Sequence, residues 1–199
     1  MRWHKFISVI LHPVVLPTIG VLLYFFLIPA SLQKYQEYAV LSIVFVSTYL
    51  IPVLLLVFLK ALKLIQSFQV HSIKERKVPL VIMVFIFYAL ATVFARLHQI
   101  RDLSILFYGT AFALFFVYLL FIIKLKSSLH LLSMGSAIGF VLVLTLSYSI
   151  TTLPIIAILV LLSGLLASSR LHLKAHTIKE VYVGFFIGIL GQFAAYYFL

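Results

Sequence analysis

Residues 129–168 read LHLLSMGSAIGFVLVLTLSYSITTLPIIAILVLLSGLLAS, forty consecutive positions without Asp, Glu, Lys or Arg. A helix needs only about 20 apolar residues to cross the hydrocarbon core of a membrane, so this stretch is long enough for two spans. The segment 147–154 (SYSITTLP) interrupts it with polar and turn-forming residues. The stretch therefore predicts a hairpin of two membrane-spanning helices joined by a tight turn.

The composition of the whole chain extends this prediction. Of its 199 residues, 65% are hydrophobic and only 10% are charged, whereas soluble domains average about 45–50% and about 25%. A soluble enzyme and a disordered tail are therefore excluded, and the continuous apolar runs exclude a membrane β-barrel. We predict an all-α polytopic transmembrane bundle, a single integral membrane domain over residues 1–199, with about seven spans (or six). The predicted spans are 7–29, 38–59, 78–97, 103–123, 129–148, 153–168 and 179–198.

The first span follows MRWHK, a basic start that is also found in signal peptides. Its apolar run is longer than that of a signal peptide, holds Pro13 and Pro17, and leads directly into more apolar segments. We therefore expect an uncleaved first span. His12 lies within it, and we interpret the His12-Pro13 pair as part of a kink tolerated in a membrane helix.

Charge is distributed unequally between the two predicted faces. The face that carries the N-terminus and segments 60–77, 124–128 and 169–178 is here called side A. Together with Lys179, at the start of the last span, it holds twelve of the 15 Lys and Arg residues. The positive-inside rule makes side A cytoplasmic. The net charge of +11 indicates contact with anionic headgroups; no soluble basic domain exists to bind nucleic acid. The absence of cysteine excludes disulfides and thiolate metal sites.

Basic and polar residues gather in three segments at helix ends on side A. They are 74–79 (KERKVP), 126–130 (KSSLH) and 169–180 (SRLHLKAHTIKE). These residue types suit phosphoryl transfer. Arginine holds phosphate oxygens bidentately, a neutral histidine can attack phosphorus, a second histidine can protonate the leaving oxygen, and a carboxylate can orient a histidine ring. The three segments therefore predict a site for an anionic, headgroup-bearing substrate.

The third segment resembles the third signature of the type-2 phosphatidic acid phosphatase superfamily (lipid phosphatases and haloperoxidases). Its pattern S-R-x5-H-x3-E is similar to the family's S-R-x5-H-x3-D, and the following AHTIKEVYVGFFIG is similar to H-x3-D-V-x2-G-x3-G. The residues that match are Ser169, Arg170, His176, Glu180, Val181, Gly184 and Gly188.

The first two segments resemble the other family signatures less closely. The family's P-S-G-H corresponds here to Ser128-Leu129-His130, and its K-x6-R-P to Arg76 with Pro79 two residues late. Position 69, where the family has lysine, is Gln69, so another lysine would take its place. The candidates are Lys74 and Lys126.

The resemblance implies a divergent, metal-independent and cofactor-free phosphatase with a core at residues 74–188. By analogy, His176 would attack phosphorus and form a phosphohistidine, Glu180 would orient His176, and His130 would protonate the leaving oxygen and then activate water. The phosphate would be held by Arg170, Arg76, Lys126, Ser128 and Lys74.

The membrane setting favours a lipid phosphate or diphosphate as substrate, because short loops cannot grip a large soluble molecule. Phosphatidate, phosphatidylglycerol phosphate and polyprenyl diphosphate all fit. The expected location is a bacterial inner membrane, with the site cytoplasmic by charge count and periplasmic by family analogy. Two other functions stay open: a non-catalytic lipid-binding relative, and a small transporter of an anionic solute. The transporter is disfavoured because nearly all charges lie at helix ends.

Several residues also have structural interpretations. Thr177 to Glu180 forms a capping-box sequence before an apolar run. Gly135 and Gly139 form a G-x3-G pair, which predicts close helix packing within the monomer or in a homodimer. His172 and His176 have the i, i+4 spacing of a metal pair, but only Glu180 is near them in sequence, so we expect no metal.

Overall fold

The computed structural model describes residues 2–29, 32–68 and 72–198, except for the side chain of Arg2. Gln69 lies outside the described residues. Throughout the described ranges the regular elements are helical, with one π-helical turn (Val46–Leu50) and one 3-10 turn (His98–Ile100). The helices are α1 (Arg2–Ile10), α2 (Leu16–Leu27), α3 (Lys34–Phe45), α4 (Ile51–Ala61), α5 (Ile73–Ala95), α6 (Leu103–Leu120), α7 (Leu129–Tyr148), α8 (Leu153–His172) and α9 (Ile178–Phe198).

The predicted all-α membrane bundle is confirmed. Six of the described helices are long and apolar enough to cross a membrane: α5 to α9, and the continuous Lys34–Ala61 helix formed by α3, the π-helical turn and α4. Large apolar side chains such as Phe26, Phe85 and Leu161 are exposed on the outer surface, as expected where the surrounding solvent is lipid.

The first predicted span, 7–29, is not one helix. The chain leaves α1 after Ile10 and bends before α2 begins at Leu16, because Pro13 and Pro17 lack backbone N–H groups. The ring of His4 on α1 stacks on His172 at the end of α8, with 4.1 Å between centroids. Helix α1 therefore lies at the side A end of the bundle. The 12 residues of α2 rise only about 18 Å, which is less than the hydrocarbon thickness.

Glycines bring α7 and α9 into close contact. A Cβ atom at Gly135 would overlap the carbonyl oxygen of Phe185, and one at Gly139 would press on Gln192. The G-x3-G pair of α7 is thus used within the chain, against α9. Gly184 lies against the Ser128 carbonyl in the same way. These close approaches set the beginning of α7 beside the beginning of α9, where two of the three basic segments meet.

We expect Gly188→Ala to destabilise the protein, whereas Gly164→Ala does not. A Cβ at Gly188 would overlap the Leu132 carbonyl oxygen, while nothing lies within 4 Å of a Cβ at Gly164. Overpacking costs about 1–3 kcal/mol, and alanine in an open helical position gains up to about 1 kcal/mol over glycine. Thermal unfolding in detergent should show a lower midpoint for Gly188→Ala alone; equal midpoints would contradict the close packing.

Candidate active site

The turn between α8 and α9 places Arg170 and His176 at one site. The last turn of α8 closes with Leu173 N–H bonded to the Ser169 carbonyl, and Ala175 N–H bonds back to the Arg170 carbonyl at 3.1 Å. Lys174 takes a left-handed φ of 51°, which reverses the chain. The five residues between Arg170 and His176 therefore form the turn that ends α8 and brings the two side chains to the same site.

His176 is held by Glu180 on the first turn of α9. Its Nδ1 lies 2.8 Å from Glu180 Oε2. The same carboxylate oxygen accepts from the backbone N–H of Thr177 at 3.2 Å, and Glu180 N–H bonds to Thr177 Oγ1 at 3.3 Å. The predicted capping box is confirmed, and its carboxylate also holds the histidine. Because Nδ1 donates to Glu180, Nε2 on the opposite ring edge carries the lone pair.

His176 stays neutral at physiological pH. Burial lowers its pKa from the usual 6.5, and the nearby Arg76 and Arg170 lower it further, against the opposing effect of Glu180. Burial disfavours the charged imidazolium, and so do neighbouring cations. A neutral ring has a lone pair available without first losing a proton.

His130 stands on the first turn of α7 and faces the same site. The backbone N–H of Ser128 bonds to the Glu180 carbonyl at 3.0 Å, which ties the preceding loop to α9. The Nε2 atom of His130 lies 3.2 Å from the Ser8 carbonyl oxygen on α1. A carbonyl only accepts, so Nε2 carries the proton and Nδ1 is left as the basic nitrogen.

Two arginines converge on the histidines from separate helices. Arg76 lies on the first turn of α5, whose beginning is fixed by a capping box between Ser72 and Glu75. Arg170 lies in the last turn of α8, and its buried Nε has no hydrogen-bond partner among the described residues. Each guanidinium interacts electrostatically with the other and with His176. Two cations held together away from water favour the binding of an anion between them.

These side chains line the mouth of a cavity of about 230 Å³. Its interior lies between α2, α4, α5, α6 and α7 and is mostly apolar. The interior residues include Leu16, Leu55, Leu80, Met83, Leu106 and Leu114. A polar, cationic mouth above an apolar interior is the arrangement that suits a charged headgroup with a hydrocarbon chain.

Three of the predicted phosphate ligands lie outside this cavity. Lys74 is exposed on α5. Lys126 lines a separate shallow depression with His176 and Glu180. Ser128, in the loop that precedes α7, is fully buried, and its hydroxyl has no hydrogen-bond partner among the described residues. Their roles stay predictions, whereas Arg76, His130, Arg170, His176 and Glu180 come together.

The site also contains two groups that were not predicted. His12, interpreted above as part of a kink, lines the cavity beside His130. The Ser8 carbonyl, supplied by α1, holds the His130 ring. A histidine inside an apolar segment is a recognisable signal of function. A backbone carbonyl gives no sequence signal.

Comparison with protein-family models, with curated proteins and with solved structures finds no match to this chain.

Proposed function

We propose that this protein is an integral membrane phosphatase that removes phosphate from a lipid phosphate or diphosphate through a phosphohistidine. The observation that carries the proposal is the convergence of Arg76, His130, Arg170 and the His176–Glu180 pair on one cavity. These groups come from the ends of four helices, and each has the chemistry that one step of phosphoryl transfer requires.

In the first step, His176 Nε2 attacks phosphorus while the bond from phosphorus to the lipid oxygen breaks. The Nδ1–H···Glu180 hydrogen bond stabilises the positive charge that forms on the ring. His130 Nδ1, the basic nitrogen of the ring, first takes the proton of the bound phosphate monoanion and then gives it to the departing oxygen. The lipid product leaves with a hydroxyl, or with a phosphate where the substrate is a diphosphate.

In the second step, His130 Nδ1 takes a proton from water as the water oxygen attacks the phosphohistidine. The phosphorus–nitrogen bond breaks, inorganic phosphate forms and takes the proton back from His130, and both histidines are neutral again. The Ser8 carbonyl keeps the second proton of His130 on Nε2, so Nδ1 is the nitrogen that shuttles protons. Arg76 and Arg170 balance the charge of the transferring phosphoryl group.

A lipid fits this site because its two parts match the two parts of the cavity. The phosphate would lie among the arginines and histidines, and the chain would occupy the apolar interior. By the positive-inside rule this end of the bundle would face the cytoplasm. The proposal does not depend on that orientation, since either leaflet supplies lipid phosphates.

The test is phosphate release by the purified protein in detergent, without added metal and with a chelator present. The substrates are phosphatidate, phosphatidylglycerol phosphate and a polyprenyl diphosphate. Release from at least one of them that survives the chelator supports the proposal. A folded protein that releases phosphate from none of them overturns it and favours a non-catalytic lipid-binding or a transport function.

For Glu180→Gln we expect two separable effects on hydrolysis. The rate falls by roughly 10²–10⁴-fold, because the ring loses the carboxylate that orients it and stabilises the positive charge formed on it in the first step. The pKa of His176 also falls further, since Glu180 is the group that raises it. Activity requires the neutral ring and is lost as the pH drops through that pKa, so the acid limb of kcat/KM should move to lower pH.

The measurement is a pair of pH–rate profiles, for the wild type and for Glu180→Gln, on one substrate. Ionisation of the substrate is common to both profiles, so the difference reports the enzyme. Glu37→Gln is the matched control, because Glu37 pairs with Lys34 at the other end of the bundle. An acid limb that moves to higher pH would refute the assignment of Glu180 as the partner of a neutral nucleophile.

A further inference from the structure

His12 is a third histidine of the cavity, and the mechanism above does not use it. It lies in the bend between α1 and α2, where Pro13 and Pro17 prevent a continuous helix. Its ring meets His130 edge-on, with 5.0 Å between centroids and 80° between planes. The bend thus presents a polar side chain to the cavity at a depth where its neighbours on α2 are apolar.

The local backbone sets the protonation of His12. The Val14 N–H donates to His12 Nδ1 at 3.5 Å, at the long end of hydrogen bonding. A nitrogen that accepts carries no proton, so the ring is neutral and its proton is on Nε2. Among the described residues Nε2 has no hydrogen-bond partner. His12 therefore offers one N–H donor to whatever occupies the cavity.

The order of the three histidines indicates which part of the substrate His12 would touch. His130 interacts electrostatically with both His12 and His176, and Arg170 interacts with all three rings. The nucleophile and the leaving oxygen lie on opposite sides of phosphorus in an in-line displacement. If His176 attacks and His130 protonates the leaving oxygen, the group next to His130 is the leaving group. His12 lies there, with the Arg170 cation alongside.

We propose that His12 is a specificity residue that binds the leaving group through Nε2–H. An anionic leaving group, the remaining phosphate of a lipid diphosphate, would accept this hydrogen bond and be balanced by Arg170. The leaving group of a lipid monophosphate is an alcohol, whose one oxygen is the atom released from phosphorus, so it offers no further oxygen to His12. The site then discriminates in favour of diphosphates. This inference rests on the proposed phosphatase function.

The experiment compares dodecyl diphosphate with dodecyl monophosphate, which share one chain and differ only in the leaving group. Initial rates give kcat/KM for the wild type, His12→Leu and His12→Gln. We expect His12→Leu to lose about 10–100-fold on the diphosphate, the range of a lost hydrogen bond to a charged group, and less than about 3-fold on the monophosphate. His12→Gln keeps an N–H donor and should recover part of the diphosphate activity.

The ratio of the two rates within each variant is independent of how much protein is folded. An unchanged ratio in His12→Leu would overturn the proposal, and so would a glutamine variant no better than leucine. Both results would leave the phosphatase function intact.

A binding measurement separates the failure of His12 from the failure of the phosphatase. In the His176→Ala background, which cannot turn over, pyrophosphate should raise the unfolding midpoint more than orthophosphate does. Adding His12→Leu should remove that difference. A His12-dependent preference for pyrophosphate in a protein that releases no phosphate would overturn only the phosphatase proposal. No preference for pyrophosphate in either background would overturn the role of His12.

Discussion

Replacing His176 by alanine should lower phosphate release by at least about 10³-fold, the scale on which losing a catalytic nucleophile acts. The ring is buried at the cavity mouth, its Nδ1 is bonded to Glu180, and both Arg76 and Arg170 act on it electrostatically. If His176 only stabilised the α8–α9 turn, its replacement would lower stability, and the rate of phosphate release would fall only in proportion to the folded fraction. The assay is the lipid phosphate panel, with each rate divided by the folded fraction.

His98→Ala is the matched control, because His98 is exposed at the opposite end of the bundle. A direct readout of the intermediate is also available. With p-nitrophenyl phosphate the leaving group departs without protonation, so His130→Ala should slow only the hydrolysis of the phosphohistidine. Acid-labile, alkali-stable phosphate should then accumulate on that variant and be absent from the His130→Ala, His176→Ala double variant. Phosphate bound equally to both would show that His176 is not the nucleophile.

The geometry of the third basic segment could be predicted from sequence because all its candidate site residues lie close together in the chain. Arg170, His176 and Glu180 are separated by one helix-ending turn and one capping box, and both structures follow from local rules. Gly184 and Gly188 follow in the same stretch of sequence and could be recognised with it. They let the loop before α7 and the α7 backbone approach α9, and this approach carries His130 to His176.

Other parts of the site depend on the path of the chain, which short-range patterns do not specify. The two prolines in the segment 7–29 indicated a kink, but not that the kink would split the span and lay α1 across the end of α8. That arrangement delivers both His12 and the Ser8 carbonyl to His130. Ser128 shows the reverse case. It was predicted from its place in a pattern, yet the packing of the loop against Gly184 leaves its side chain buried.

Arg170→Lys should lower kcat/KM by about 10²-fold and Arg170→Ala by about 10³-fold, within the range for removing one preorganised charge donor from a transition state. Lysine keeps the positive charge but lacks the planar fork that binds two phosphate oxygens. Arg170 has a buried Nε without a partner among the described residues, and it interacts electrostatically with all three histidines of the cavity. Its removal should therefore weaken inhibition by inorganic phosphate as well as turnover.

The competing explanation is that Arg170 is an interfacial anchor whose stem covers apolar surface while its charge meets headgroups. An anchor would tolerate lysine, and its removal would lower stability. An arginine that binds phosphate is expected to behave differently: its replacement lowers activity and does not lower stability. Arg170 repels Arg76 electrostatically, so Arg170→Ala relieves a like-charge contact, and the unfolding midpoint should be unchanged or higher while activity is lost. Arg101→Lys, at an exposed position on the opposite face, should change neither quantity. Full activity of Arg170→Lys together with a lower midpoint for Arg170→Ala would establish the anchor instead.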